Sequence, residues 1–196
     1  MAEQVSISIL GCGWLGLPLA ETLIEQGYKV KGSTTNIHKQ ETLEKAGIES
    51  YLIDLNEAVN DKRLREFLKS DVLVINIPPS KITGEQGDYV DRIRYVAVAA
   101  ARVNVGKIIF ISSTSVYPKD NEEVNENTLL HPKSKNGRAI LEAENALHNH
   151  PYFHTTVLRM GGLIGYDRLP HKFLAFVADK KNAYDRLNFV HRDDAV

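Results

Sequence analysis

Gly11-Cys12-Gly13-Trp14-Leu15-Gly16 separates the alternating run Val5-Ser6-Ile7-Ser8-Ile9-Leu10 from a helical pattern that ends at Gly27. Strand, glycine loop and helix in that order leave few folds open, because each glycine answers a different steric demand. Gly11 permits a sharp turn, Gly13 permits backbone to approach a diphosphate, and Gly16 permits helix and strand to pack, while the first N–H groups of the helix face the phosphates. The order predicts a dinucleotide site at the amino end, lined by Gly11, Gly13, Trp14, Leu15 and Gly16. For Trp14 the simpler reading is core packing.

Further along, strand and helix patterns alternate. Residues 14–26 carry Leu15, Leu19, Leu23 and Ile24 at helical spacing, with Pro18 tolerable near the first turn. Residues 28–32 read as a second strand, 37–46 as a polar helix closed by Gly47, and 48–53 as a third strand with Asp54 at its carboxyl end. A short helix over 61–69 precedes the apolar run 72–77, which Pro78-Pro79 stops. Residues 89–104 form a helix rich in alanine and valine, 107–112 a fifth strand, 140–148 a helix, 155–159 a strand and 173–178 a short helix. The polar stretch 118–135 reads as a functional loop. Strands separated by crossover helices predict an α/β fold, a doubly wound Rossmann-type parallel sheet with helices on both faces.

Composition excludes several function classes. The 196 residues are 43% apolar and 25% charged, enough for one sizeable core. The formal net charge is −1, with the signs interspersed, so no nucleic-acid or membrane partner is expected. The start Met-Ala-Glu-Gln-Val lacks the flank and apolar core of a signal peptide, and no apolar run reaches the ~18 residues of a membrane span, which predicts a cytoplasmic protein. A lone cysteine, Cys12, excludes an internal disulfide and a cysteine-rich zinc site, and reads as a small side chain packed in the loop. No metal is expected.

The second strand bears on the cofactor. An acid about 20 residues beyond the first glycine commonly accepts both hydroxyls of the adenosine ribose. Lys31-Gly32-Ser33-Thr34-Thr35-Asn36 contains none. The hydroxyls of Ser33, Thr34 and Thr35, with Asn36 and then Lys39, suit a 2′-phosphate, so NADP is preferred to NAD. Alternatively the segment simply caps the next helix. The missing acid also weighs against a methyltransferase.

Ile111-Ser112-Ser113-Thr114-Ser115-Val116-Tyr117 resembles the serine segment of extended short-chain dehydrogenase/reductases, the NAD-dependent epimerase/dehydratase family. Pro132, Gly137 and Glu144 resemble the scaffold around that family's tyrosine and lysine, Val157 to Gly165 its sixth strand and following turn, and Asn188-Phe189-Val190-His191-Arg192-Asp193-Asp194 its Phe-Val-His-x-Asp-Asp segment. The likeness spans nearly the whole chain in order. It implies that Ser113, with Thr114 beside it, binds a substrate carbonyl or hydroxyl. It further implies that Asn76, Ile77 and Pro78 lie against the cofactor, Asp54 and Leu55 near the adenine, and Gly161 and Gly162 on the nicotinamide side. By the same resemblance residues 1–160 form an NAD(P)-binding domain, and 161–196 begin a small substrate-side portion that family members continue further. A small polar substrate, with nucleotide sugars as one class, and a homodimer are also implied.

The family's Tyr-x-x-x-Lys is missing. In that pair the lysine charge lowers the tyrosine pKa so that the phenol exchanges a proton with substrate. Aligning Pro132, Gly137 and Glu144 puts Asn136 at the tyrosine position and Ile140 at the lysine position. A second register pairs His131 with Lys135, supplying an imidazole but losing the glycine and the glutamate. The first is preferred because it keeps more of the helix scaffold. Tyr117 is another candidate proton donor, with a packing role as its simpler reading. Arg138 reads more simply as a solvated helix arginine, and His191, Asp193 and Asp194 as structural groups, while Arg159 at a strand end is open between an ion pair and a ligand contact. Two functions remain open: an atypical oxidoreductase or epimerase, and a non-catalytic NAD(P)-binding sensor.

Overall fold

A computed structural model describes residues 4–57, 61–82, 86–118, 122–171 and 187–196. Strands β1 (Ser6–Leu10), β2 (Lys29–Thr34), β3 (Glu49–Leu52), β4 (Val72–Ile75), β5 (Lys107–Ser113) and β6 (His154–Met160) pair in the order β3-β2-β1-β4-β5-β6, each neighbouring pair parallel. The predicted Rossmann-type sheet is present. Helices α1 (Gly16–Glu25), α2 (Gln40–Lys45), α3 (Asp61–Leu68), α4 (Gln86–Arg102) and α5 (Lys135–His148) form the crossovers. Beyond β6, β7 (Gly162–Ile164) and β8 (Phe189–His191) make a separate parallel pair.

Side-chain alternation along the strands builds two apolar layers. On one face Leu10, Leu73, Ile75, Ile108 and Phe110 pack with Leu64 and Phe67 of α3, Ile93 and Val96 of α4, and Ala143 and Leu147 of α5. On the other, Ile7, Ile9, Val30 and Val74 pack with Ala20 of α1 and Leu43 of α2. Cys12 lies buried in that second layer, filling the space against Gly32, where a Cβ would meet its Sγ at 2.7 Å. Burial pushes the thiol up to about 12, so it packs as a small apolar group.

Several boundaries move from those the periodicity predicts. β2 runs on through Ser33 and Thr34, because they pair with Tyr51 and Leu52 of β3 while their hydroxyls find partners in adjacent turns. The polar helix over 37–46 divides into a 3-10 turn at Ile37–Lys39 and α2. Helix α5 starts at Lys135, five residues before the apolar period shows it, because Ser134 caps it by accepting from the Gly137 N–H at 3.0 Å and the residue its first turn buries, Gly137, has no side chain. β4 ends at Ile75, where Asn76 turns toward the glycine loop. The helix expected over 173–178 lies outside the described residues.

Phe67 is fully buried and meets Tyr51 edge-on with ring centroids 5.4 Å apart. Phe67→Ala is expected to lower unfolding free energy by about 3–5 kcal/mol, measured by urea denaturation; a loss under about 1 kcal/mol would contradict this packing.

Candidate dinucleotide cleft

The order of the strands reverses at β1, since β2 and β3 extend to one side of it and β4 to β6 to the other. The glycine loop emerges at this switch point, where a crevice opens at the carboxyl ends of the strands. It is tied to both neighbours. The Gly11 N–H donates to Ser33 Oγ and the Cys12 N–H to the Ser33 carbonyl, both at 2.8 Å. From β4, the Asn76 amide donates to the Gly11 carbonyl at 3.1 Å.

The three glycines separate by what a side chain would meet. Gly11 has φ +105°, and its Cβ would lie 2.7 Å from the Asn76 carbonyl oxygen; a Cβ on Gly16 would lie 2.3 Å from the Gly11 carbonyl oxygen. Both are required by the protein itself. A Cβ on Gly13 would meet no protein atom within 4 Å, and Gly13 is exposed on the cleft. No side chain caps α1 at Leu15, so the helix start facing the cleft lacks a side-chain acceptor.

The cleft has a volume of about 830 Å3. Gly11, Gly13, Trp14, Leu15, Ser33, Thr34, Thr35, Asn36, Asp54, Leu55, Asn76, Ile77, Pro78, Ser113 and Gly161 line it, as do Cys12, Ile111, Ile140 and Met160. Gly16 lies behind the loop as a packing position. Ser33 and Thr34 are buried, and their hydroxyls are engaged: Ser33 by the Gly11 N–H, Thr34 by the Asn36 N–H at 3.1 Å. Thr35, Asn36 and Lys39 are exposed at the cleft wall. Asp54 accepts from the backbone and side chain of Asn56, both at 2.9 Å. Burial pushes the Tyr89 phenol well above its usual range, and it donates to the Ile77 carbonyl at 3.0 Å.

At the other end Ser113 Oγ accepts from the Ser115 N–H at 3.1 Å, which leaves its own proton free to donate. Around it the lining is apolar: Ile111, Ile140, Met160 and Leu163. Thr114, Tyr117 and His131 are not among the lining residues. His131 is exposed, whereas Tyr117 is buried with its oxygen accepting from Arg159 Nη1 at 2.9 Å. Arg159 also donates to Glu144 from Nη2 at 2.8 Å and from Nε at 3.2 Å, and Ser112 Oγ donates to the same carboxylate. The Glu144 contact, above all, raises the Arg159 pKa further. Gly137 packs so closely that a Cβ would fall 2.4 Å from the Ser115 carbonyl oxygen. Gly161 and Gly162 are demanded by β8 and the residue before it: their Cβ atoms would meet Asn188 at 2.9 Å and Phe189 at 2.7 Å.

Sequence reasoning missed Lys81, Tyr89 and Arg168 among the lining residues. Lys81 follows the Pro78-Pro79 stop, a position visible in the sequence, but Arg168 arrives from beyond β7 with no local signal. Among the described residues no group of three or more His, Cys, Asp or Glu is arranged for a metal, and no helix is long and apolar enough to cross a membrane.

The sequence profile of the NAD dependent epimerase/dehydratase family matches residues 7–185. Protein YeeZ of Escherichia coli (strain K12) is 34% identical over 192 residues, covering 97% of this chain and 70% of its own length. UDP-glucuronic acid 4-epimerase from Bacillus cereus, solved in complex with UDP-glucuronic acid and NAD, superposes with a TM-score of 0.75 at 19% identity over 97% of this chain and 70% of that one. A short-chain dehydrogenase/reductase superfamily protein from Agrobacterium tumefaciens with bound NAD gives 0.65 at 21% identity, over 81% of this chain and 50% of that one. At those identities the two structures speak for the fold alone.

Glu144 has a side chain only 5% exposed, so Arg159→Leu strands a carboxylate in the interior. The expected loss is about 3–5 kcal/mol by urea denaturation, and the double variant Arg159→Leu with Glu144→Leu is expected to recover most of it. A double variant no more stable than the single one would show that the ion pair is not what holds this region.

Proposed function

The chain belongs to the NAD-dependent epimerase/dehydratase family, and we propose that it binds a nicotinamide dinucleotide above the glycine loop and acts as an atypical oxidoreductase or epimerase on a small polar metabolite. A nucleotide sugar is the preferred substrate class. One observation carries the dinucleotide reading: Gly13 faces the cleft, and no protein atom explains the absence of a side chain there. A diphosphate resting on backbone does explain it.

In this reading the loop from Gly11 to Leu15 holds the diphosphate, with Gly16 letting the helix approach. Asp54 and Leu55 flank the adenine, Asn76, Ile77 and Pro78 line the back wall, and Gly161 closes the nicotinamide end. Thr35, Asn36 and Lys39 take the adenosine ribose and its 2′-phosphate, which favours NADP over NAD. The engaged hydroxyls of Ser33 and Thr34 hold that wall in place. Lys39, Lys81 and Arg168 against the single carboxylate of Asp54 give the lining a positive excess suited to a polyanion. When bound, the nicotinamide supplies hydride exchange. Ser113 donates its proton to a substrate oxygen, and Thr114 shapes the turn beside it.

The first register fits the geometry, because Gly137 packs on Ser115 and Ile140 lies on the cleft wall. It leaves Tyr89, whose phenol donates to the Ile77 carbonyl, as the one lining tyrosine among the described residues. The proton in an enzymatic cycle then comes from Tyr117 after rearrangement, from His131, or from beyond the described residues. Ile140 also favours a second reading, a non-catalytic NAD(P)-binding sensor in which the lysine position has become part of the apolar wall.

Binding is read from quenching of Trp14 fluorescence, the chain having one tryptophan. NADPH is expected to bind, and Lys39→Ala to weaken NADPH about tenfold while leaving NADH little changed. Failure of both dinucleotides to bind at about millimolar concentration would remove the proposal. For turnover, Ser113→Ala is expected to lower kcat on a 4-keto nucleotide sugar about 100-fold with NADPH affinity retained. Tight NADPH binding with no hydride transfer to any such sugar would favour the sensor, and transfer abolished by His131→Ala would favour the second register.

A further inference from the structure

Building on the dinucleotide reading, we propose that Arg168 is a diphosphate-binding residue, presented by a pinned turn on the aromatic face of Trp14 so that the segment after β7 closes on the glycine loop. Gly165 and Arg168 exchange backbone hydrogen bonds at 3.0 and 2.7 Å, which folds residues 165–168 into a tight turn. Gly165 has φ +136°, and a Cβ there would sit 2.8 Å from His191 Nε2. Tyr166 has φ +47°, a conformation that bulky L residues seldom adopt.

Such a turn persists because its surroundings over-determine it. Tyr166 donates its phenolic proton to Asp193 Oδ2 at 2.6 Å, and Arg192 lies over the Tyr166 ring at 4.2 Å. Trp14 donates from Nε1 to Asp167 Oδ1 at 2.6 Å. The indole of the glycine loop therefore ties down the turn that follows β7.

The fourth residue of the turn is the one with no structural task of this kind. The Arg168 guanidinium stands 4.3 Å from the Trp14 ring centre and lines the cleft with Gly11, Gly13 and Trp14. Arg192, also over Trp14 at 5.2 Å, has its charge answered by Asp193 at 3.4 Å. Among the described residues no carboxylate pairs with Arg168. Contact with an aromatic face holds a guanidinium in place while leaving N–H groups available, and their fork matches phosphate oxygens. A cation so held, beside a loop whose exposed glycine admits a diphosphate, has an anionic ligand as its natural partner.

The decisive measurement is calorimetric titration of the wild-type chain, Arg168→Ala and Arg168→Lys with ADP-ribose, NADPH and 2′-AMP, the last carrying adenine and ribose without a diphosphate. Arg168 is exposed, so both variants are expected to keep the wild-type thermal midpoint. Arg168→Ala is expected to weaken ADP-ribose and NADPH about tenfold and 2′-AMP hardly at all, with Arg168→Lys in between. Unchanged ADP-ribose affinity would overturn the inference while leaving the dinucleotide reading intact, as would an equal loss for 2′-AMP. If the wild-type chain binds none of the three, both readings fall together.

Discussion

The close approach of α1 to the end of β1 sets the geometry on which the rest of the cleft depends. Gly16 sits against the Gly11 carbonyl with no room for a Cβ, and the Asn76 amide completes the contact from β4. A single methyl at Gly16 forces helix and strand apart, moving the start of α1 and with it the N–H groups that face the cleft. Because Gly11 is also bonded to Ser33 at the end of β2, the loop is fixed from both neighbouring strands. The switch point of the sheet becomes rigid backbone surface.

Opposite this loop, the second half of the cleft is organised by a buried carboxylate. Glu144 receives Arg159 and Ser112, and Arg159 in turn holds the Tyr117 oxygen. The network fixes the end of β5 relative to α5 and β6, and so fixes Ser113, the residue next to Ser112. Desolvating these charges is offset only because every partner is present. The wall built there is apolar around one free hydroxyl. On the cleft wall the Tyr89 phenol is committed to the Ile77 carbonyl, whereas the Ser113 proton is not committed.

Much of the fold was legible because its signals are local. Alternating or continuous apolar patterns between glycine, proline and polar segments mark all six strands of the main sheet, and the glycine loop marks the switch point. Helix α5 begins earlier than the apolar period shows because the residue its first turn buries is Gly137, which has no side chain, although Ser134 three residues before it is a usable cap signal. Of the cleft, residues following strand ends were legible, since strand ends converge there by topology. Arg168 was not, because Trp14 and Asp167 are 153 residues apart and only the turn at Tyr166 brings them together. Nor could spacing reveal that the Ser33 hydroxyl serves the Gly11 N–H, or that Gly161 and Gly162 make room for Asn188 and Phe189.

The central claim is that the glycine loop is shaped for a ligand as well as for its own packing. Gly13→Val tests it most directly, since a Cβ at this position meets no protein atom within 4 Å and Gly13 lines the cleft assigned to a diphosphate. The account predicts a thermal midpoint within about 2 °C of wild type together with loss of NADPH binding by about 100-fold or more. A Gly13→Val chain that binds NADPH as the wild type does would contradict it.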